Sequence, residues 1–215
     1  RLDAELRRSA KMRLVSDVPL GVFLSGGIDS STVAYFAQAS SERPLESFSI
    51  AFRDPEFDES GYARFVAERL GTRHHEHEFS VDDFLNEAPK VFDKLDEPLA
   101  DASIIPTSLL SRFARGRLTV ALGGDGGDEL FLGYPTFVAH RLSGFYRSLP
   151  RLLRRGAIEP LVRAIPPSFG DISLDFRLKK FVAGAESPPW LQNQIWLGAF
   201  EPKELQGEDY RAIYV

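Results

Sequence analysis

The chain has 215 residues, 43% hydrophobic and 12% aromatic, which suits one α/β domain with a sizeable core, alone or with an appendage. A net charge of −5 leaves no electrostatic footprint for nucleic acid, and the absence of cysteine excludes disulfides, thiolate metal sites and a cysteine nucleophile. Neither a transmembrane run nor a signal peptide is read, so no membrane partner and a cytoplasmic location are expected.

Arg1 to Val15 reads as an amphipathic helix, with Leu2, Leu6, Ala10 and Leu14 four apart. No initiating methionine precedes it, and the chain is expected to be a piece of a longer protein. Val22-Phe23-Leu24 is an apolar run short enough for a buried strand. Ser25-Gly26-Gly27 breaks it, and helical spacing resumes with Ile28, Thr32, Tyr35 and Phe36 able to share a face. Pro44 marks a turn before a second strand, Leu45 to Phe52. Asp58 is read as the cap of a helix with Tyr62, Phe65, Val66 and Leu70 on one face and Gly71 at its end. Thr72 to Phe79 reads as a third strand, and Ser80 as the cap of a helix through Leu95. A polar loop, Asp96 to Ser103, precedes a helix from about Pro106 to Arg115, closed by Gly116. Leu118 to Leu122 is a fourth strand, apolar as an interior parallel strand should be.

This alternation predicts an α/β fold over residues 1–135: a doubly wound parallel sheet of about five strands, with ligands at the carboxyl ends of the strands. From residue 136 the strand pattern is lost. Arg141 to Arg155 is basic and broken by Pro150, Ile165 to Gly170 reads as a linker, and Phe176 to Phe181 and Trp190 to Phe200 look helical. Residues 136–215 are therefore expected to be a helical appendage, truncated at Asp209 to Val215, which is not an obvious stop.

Two loops carry the chemistry. A strand, a glycine turn and a helix start at Ser25 to Ser30 form a backbone cradle for phosphate, because Gly26 and Gly27 admit oxyanions to the main chain and the helix start attracts negative charge. Ser25, Ser30 and Ser31 add hydroxyl donors, and Asp29 can hold a divalent cation. The loop is neither a Gly-x-x-x-x-Gly-Lys-Ser/Thr nor a Gly-x-Gly-x-x-Gly sequence. The fourth strand runs into Gly123-Gly-Asp-Gly-Gly-Asp-Glu129, which should share the same edge. Asp125 and Asp128 can bind Mg²⁺, orient an amine or act as a base. A calcium loop is the rival reading, but the EF-hand spacing with its closing glutamate is missing.

Ser25-Gly26-Gly27-Ile28-Asp29-Ser30 resembles the pyrophosphate loop of the N-type ATP pyrophosphatases, whose fold is adenine nucleotide alpha-hydrolase-like. With Asp17 to Gly21, Phe57-Asp58-Glu59, Leu70-Gly71-Thr72, His75, Glu97 to Asp101, Ile105-Pro106-Thr107 and Gly124 to Phe131, nearly the whole chain resembles the synthetase domain of the glutamine-hydrolysing asparagine synthetase family. Leu178 to Phe181 and Trp196 to Phe200 look like that family's helical part.

The resemblance implies roles by position. Leu24 and Ile50 would line the adenine and ribose pocket, and Gly123 and Gly124 would pass along the nucleotide. Ser25, Gly26, Gly27, Asp29 and Ser30 would hold pyrophosphate, with Asp29 and Asp128 on Mg²⁺. Asp125, where many members carry glutamate, is implicated in forming and consuming a β-aspartyl-adenylate. ATP would activate the aspartate side chain, and ammonia from a glutaminase domain absent from this chain would displace AMP. Gly123 replaces a common serine. The family's later basic residues are not matched, so the fragment alone is expected to fall short of full activity. Missing helices would leave an apolar patch near Trp196 and Phe200 and favour self-association as a homodimer. A ligase on another carboxylate, β-lactam-forming or peptide-tailoring, and a non-catalytic nucleotide-binding module are the alternatives.

Other groups have plainer readings. His74, His75 and His77 could ligate a metal but suit a solvated edge strand. Arg151, Arg154, Arg155 and Arg163 suit a solvated helix face, and Trp190 and Trp196 suit the core. Asp96, Glu97 and Asp101 either cap a loop or approach substrate.

Overall fold

The computed structural model describes residues 1–97, 99, 101, 103–167 and 173–198. Pro98, Ala100, the end of the 165–170 linker, Phe200 and the 209–215 terminus lie outside the described residues. The chain divides into two compact units, Arg1–Asp128 and Glu129–Val215.

In the first unit, helix α1 (Leu2–Arg13) leads to strand β1 (Leu20–Phe23) and helix α2 (Ile28–Ala39). Strand β2 (Glu46–Phe52), helix α3 (Ser60–Leu70) and strand β3 (Arg73–Phe79) follow, then helices α4 (Val81–Phe92) and α5 (Ile104–Arg115) and strand β4 (Val120–Leu122); the short helix α6 (Gly127–Phe131) begins in this unit and ends in the next. The described strands form one parallel sheet in the order β3-β2-β1-β4. It has four strands where about five are expected; all four lie in stretches read as strands, although β3 is mostly polar and β4, read as interior, ends the described order. Gly21 lies in the middle of β1 because a Cβ there would strike the Glu46 carbonyl and the Leu118 side chain.

Both faces of the sheet are covered. Val22 and Leu24 pack with Ala34 and Ala37 of α2 and Ala63 and Ala67 of α3. On the opposite face Phe48 packs with Ala114 and Leu118, flanked by Phe23, Leu110 and Phe113. The inner faces of α2 and α3 correct the expected ones in part: Phe36 is buried and Val66 and Leu70 pack on the core, as read. Ser30, Ala34, Phe36 and Ala37 are buried on α2, and Ser60, Ala63 and Ala67 on α3. Ile28 is 86% exposed and Tyr62 69% exposed, and Tyr35 and Phe65 also face outward. Small side chains at helical spacing let both helices approach the strands closely, and close packing outweighs the transfer gain of burying one larger group.

Helix ends follow their capping chemistry. Ser80 and Asp83 form a reciprocal capping box at the start of α4. Gly71 ends α3 at φ +69°, a left-handed conformation that glycine adopts without strain. Asp58 acts one residue before the α3 cap: its carboxylate accepts from the Ser60 N–H at 3.1 Å, the Ser60 hydroxyl at 3.0 Å and the Phe52 N–H at 3.2 Å. It thereby ties the end of β2 to the start of α3.

The β3 histidines are packed rather than solvated. His74 lies between the buried Ser47 and Ser49 hydroxyls at 3.0 and 3.1 Å, and burial pushes its pKa down. On the other face the His75 ring lies on Phe48 and the His77 ring on Phe113. Among the described residues no three His, Asp or Glu side chains group into a metal cluster.

The second unit is helical: α7 (Pro135–Ser148), α8 (Arg151–Leu153) running through a π-turn into α9 (Glu159–Ala164), then α10 (Leu174–Ala185) and α11 (Pro189–Leu197). Gly184 seats Trp196, whose ring stacks on Phe181 and meets His140 edge-on. Trp196 is 7% exposed and adds nothing to an apolar patch, whereas Leu197 is 62% exposed and Trp190, at 59%, lies outside the core. Gln192 is fully buried and donates to the Ala185 and Ser187 carbonyls. Arg154 and Arg155 both pair with Glu186 rather than forming a purely solvated face. No described helix is long and apolar enough to cross a membrane.

Candidate nucleotide site

The site is built where β1 and β4 end side by side. Their register pairs Leu20 with Val120 and Val22 with Leu122, so the segments leaving both strands emerge at one edge. Leu24 continues past β1, and its N–H donates to the Phe48 carbonyl at 2.9 Å. The Leu24 side chain is buried in the core, so what Leu24 offers a nucleotide is its main chain.

The Ser25 to Ser30 turn is held by its own hydroxyls. Ser25 N–H donates to Ser30 Oγ at 3.2 Å, the two hydroxyl oxygens lie 2.9 Å apart, and Gly27 N–H donates to Ser25 Oγ at 3.2 Å. Gly26 has φ +87°, and a Cβ there would sit 2.5 Å from Tyr62 Cβ and 2.6 Å from the Ala63 nitrogen. Helix α3 therefore rests directly on the turn. Gly27 is the N-cap of α2 and supplies no side-chain acceptor, so the positive end of a 12-residue helix faces the loop without a cap of its own. The Ser31 hydroxyl is a buried side-chain oxygen with no hydrogen-bond partner among the described residues.

The second loop closes onto the first. A Cβ at Gly124 would lie 2.7 Å from the Ser30 nitrogen and 3.1 Å from the Asp29 carbonyl carbon. At Gly127 it would lie 2.6 and 2.7 Å from the two Asp29 carboxylate oxygens. Glycine at both positions lets the β4–α6 turn pass across the first turn of α2. Asp125 is exposed, Asp128 is half-buried, and the Asp125 carboxylate folds back over Gly123. Ile50 is half-buried on β2, adjacent to β1.

The structure thus brings Ser25, Gly26, Gly27, Asp29, Ser30, Gly123, Gly124, Asp125 and Asp128 to one edge of the sheet. Sequence reasoning missed the contact of Gly127 with Asp29 and that of Tyr62–Ala63 with Gly26. The glycine run from 123 to 127 signals close approach, but not to which neighbour. Asp96, Glu97 and Asp101 lie in the α4–α5 connection. Asp101 accepts from the Ser103 N–H at 2.9 Å, and Ser103 holds its carboxyl below the usual range. Glu97 and Asp96 line a cleft of about 390 Å³ with Phe92, Leu95 and Leu99.

A triphosphate fits this edge: the turn is free of side chains at Gly26 and Gly27 and lined by serine hydroxyls, and it opens from an uncapped helix start. Mg²⁺ takes one or two carboxylates and completes its shell with phosphate and water, so oxygen donors at Asp29 and Asp128 suit it without a three-residue cluster.

The model of the asparagine synthase family matches residues 1–210. A putative glutamine-hydrolysing asparagine synthetase of Methanocaldococcus jannaschii is 42% identical over 147 residues, covering 68% of this chain and 28% of that protein. Glutamine-hydrolysing asparagine synthetase 1 of Bacillus subtilis is 40% identical over 126 residues, covering 59% and 20%. The chain thus spans about a quarter of the length of these curated relatives. An NH3-dependent NAD synthetase from Campylobacter jejuni superposes at TM-score 0.43 and 15% identity, covering 88% of this chain and 94% of that one, a likeness too slight to argue from.

Proposed function

We propose a function from one premise: the chain belongs to the asparagine synthase family. In this reading residues 1–135 are the ATP-binding part of an amide-forming synthetase and residues 136–215 a helical appendage. The observation that carries it is the seating of Gly124 and Gly127 on Asp29 and Ser30, which joins a phosphate cradle to an acidic loop. Ser25, Gly26, Gly27 and Ser30 bind the β- and γ-phosphates. Gly123 and Gly124 run along the nucleotide, and Leu24 and Ile50 border its adenosine end. Asp29 and Asp128 are the residues that would hold Mg²⁺, whose charge would offset that of the phosphates. Asp125, exposed beside this edge, orients the substrate. Bound here, ATP would transfer AMP to the side-chain carboxylate of aspartate with loss of pyrophosphate, and ammonia would then displace AMP to give asparagine. Ammonia would come from a glutaminase domain outside this chain, and a cytoplasmic location belongs to the same reading. Positioning and electrostatic stabilisation account for most of the rate in such a site.

Calorimetry with ATP and Mg²⁺ tests the binding half. Affinity should fall at least about tenfold in Asp29→Ala, in line with the worth of one desolvated charge contact. Unchanged affinity would remove the loop as the phosphate site. Pyrophosphate release, measured with aspartate and then with a panel of other carboxylic acids, tests the substrate. Release that ignores aspartate but responds to another acid would replace asparagine formation by ligation of that acid.

A further inference from the structure

We propose that Gly127 is a positioning residue for the Asp29 carboxylate, a role that rests on the reading of the Ser25 to Ser30 turn as the ATP site. Two contacts fix Asp29 independently. Its main chain is fixed because Gly124 lies against the Asp29 carbonyl carbon and the Ser30 nitrogen, with no room for a methyl group. Its carboxylate lies over the Gly127 Cα, where a methyl group would meet Cγ and both carboxylate oxygens. The main chain and the rotamer of Asp29 are thus set by two different glycines of one turn.

An aspartate side chain has three staggered choices at χ1, and its backbone here is held in the first turn of α2. A methyl group at position 127 removes the observed choice, so either the carboxylate rotates away or the β4–α6 turn retreats. Sites of this kind need their oxygens placed within about 0.5 Å. Gly126 offers a contrast within the same turn: it has φ +88° and no atom of the described residues within 4 Å of its Cβ position, so a methyl group there would not touch Asp29. The Cβ position of Gly127 meets the Asp29 side chain first, while its N–H donates to the Gly124 carbonyl at 3.2 Å, a main-chain bond that alanine would keep.

A double-mutant cycle tests this, because sites that act through one another are non-additive. Gly127→Ala should weaken Mg²⁺–ATP binding about tenfold by calorimetry. In an Asp29→Ala background, where the atoms that meet the new methyl are gone, the same change should cost less than about twofold. Thermal melting without nucleotide supplies a second readout. Gly127→Ala should melt below the wild type, and Asp29→Ala/Gly127→Ala should recover most of that loss. A Gly127→Ala protein that does not fold, beside a double variant that does, gives the same support. Equal effects of Gly127→Ala in both backgrounds, in affinity and in melting, would overturn the positioning role while leaving the ATP site intact. A wild-type chain that binds no ATP would overturn the site itself, and this role with it.

Discussion

Replacing Gly26 with alanine puts a methyl group where helix α3 meets the Ser25 to Ser30 turn, and the cost can be worked from three glycines of the same unit. At φ +87° an alanine pays the left-handed penalty of about 1–2 kcal/mol. Its methyl would also lie 2.5 Å from Tyr62 Cβ and 2.6 Å from the Ala63 nitrogen, neither of which can rotate away. Helix α3 must retreat by roughly 1 Å to restore ordinary carbon contacts, at the usual overpacking cost of about 1–3 kcal/mol. The expected loss is about 2–5 kcal/mol, or roughly 4–20 °C in Tm for a chain of this length. Gly71→Ala carries the left-handed penalty alone, since φ is +69° and its Cβ position is open, and should cost about 1–2 kcal/mol. Gly27→Ala meets only Ser25 Oγ, at 3.3 Å, and should cost less than about 1 kcal/mol. Urea denaturation followed by circular dichroism ranks the three. Gly26→Ala no more damaging than Gly71→Ala would refute the direct seating of α3 on the turn.

Three further expectations follow from groups described above. Hydrogen bonds from the Ser60 N–H first, then from the Phe52 N–H and the Ser60 hydroxyl, hold the Asp58 carboxyl below its ordinary 3.8. A depressed carboxyl stabilises the fold above its unfolded pKa and loses that contribution as pH falls through the folded value. The stability gap between wild type and Asp58→Ala should therefore be constant from pH 7 to about 4 and close below it; a gap that persists at pH 2 would count against this linkage. Glu87 is 3% exposed and accepts from Ser108 Oγ at 2.9 Å and from Arg112. Glu87→Ala should lower stability by about 1–3 kcal/mol in urea titration, a value held down because Arg112 can turn to water. Gly184→Ala, whose methyl would lie 2.8 Å from Trp196 Cδ1, should displace that ring and shift its fluorescence to the red in a Trp190→Phe background; an unshifted spectrum would contradict the seating.

The strands and loops were legible because their signals are local. Val22-Phe23-Leu24 followed by Ser25-Gly26-Gly27 announces a strand and a glycine turn within six residues, and the four described strands lie in stretches read as strands. On α2 and α3 size is an incomplete guide to burial: Phe36, Val66 and Leu70 reach the core, whereas Ile28, Tyr35, Tyr62 and Phe65 do not. The alanine and serine stripes at 30, 34 and 37 and at 60, 63 and 67 are as periodic as the aromatic ones, and the close approach of helix to strand decided between them. The β3 histidines and the arginines beside Glu186 were assigned to water because their partners lie on other elements, 25 or more residues away. The same distance hid the Gly127–Asp29 contact. Each loop could be read by itself, but no residue in either names the atoms of the other.

The pairing of β1 with β4 also dictates when this edge can exist during folding. Gly21 finds its β2 partner Glu46 after about 25 residues, and Glu46 finds Arg73 on β3 at a similar separation. Leu20 must wait for Val120, about a hundred residues downstream. Closing a loop four times longer costs only about 1.2 kcal/mol more, but parallel pairings of such high sequence separation form slowly. Strands β1 to β3 can therefore assemble while the other side of β1 is still open, and only the three residues Val120–Leu122 arrive to cover it. Until they do, the Ser25 to Ser30 turn has no Gly124 or Gly127 lying across it. On a ribosome, the nascent chain would carry the uncovered Ser25 to Ser30 turn and an open strand edge for the whole time it takes to make α4 and α5.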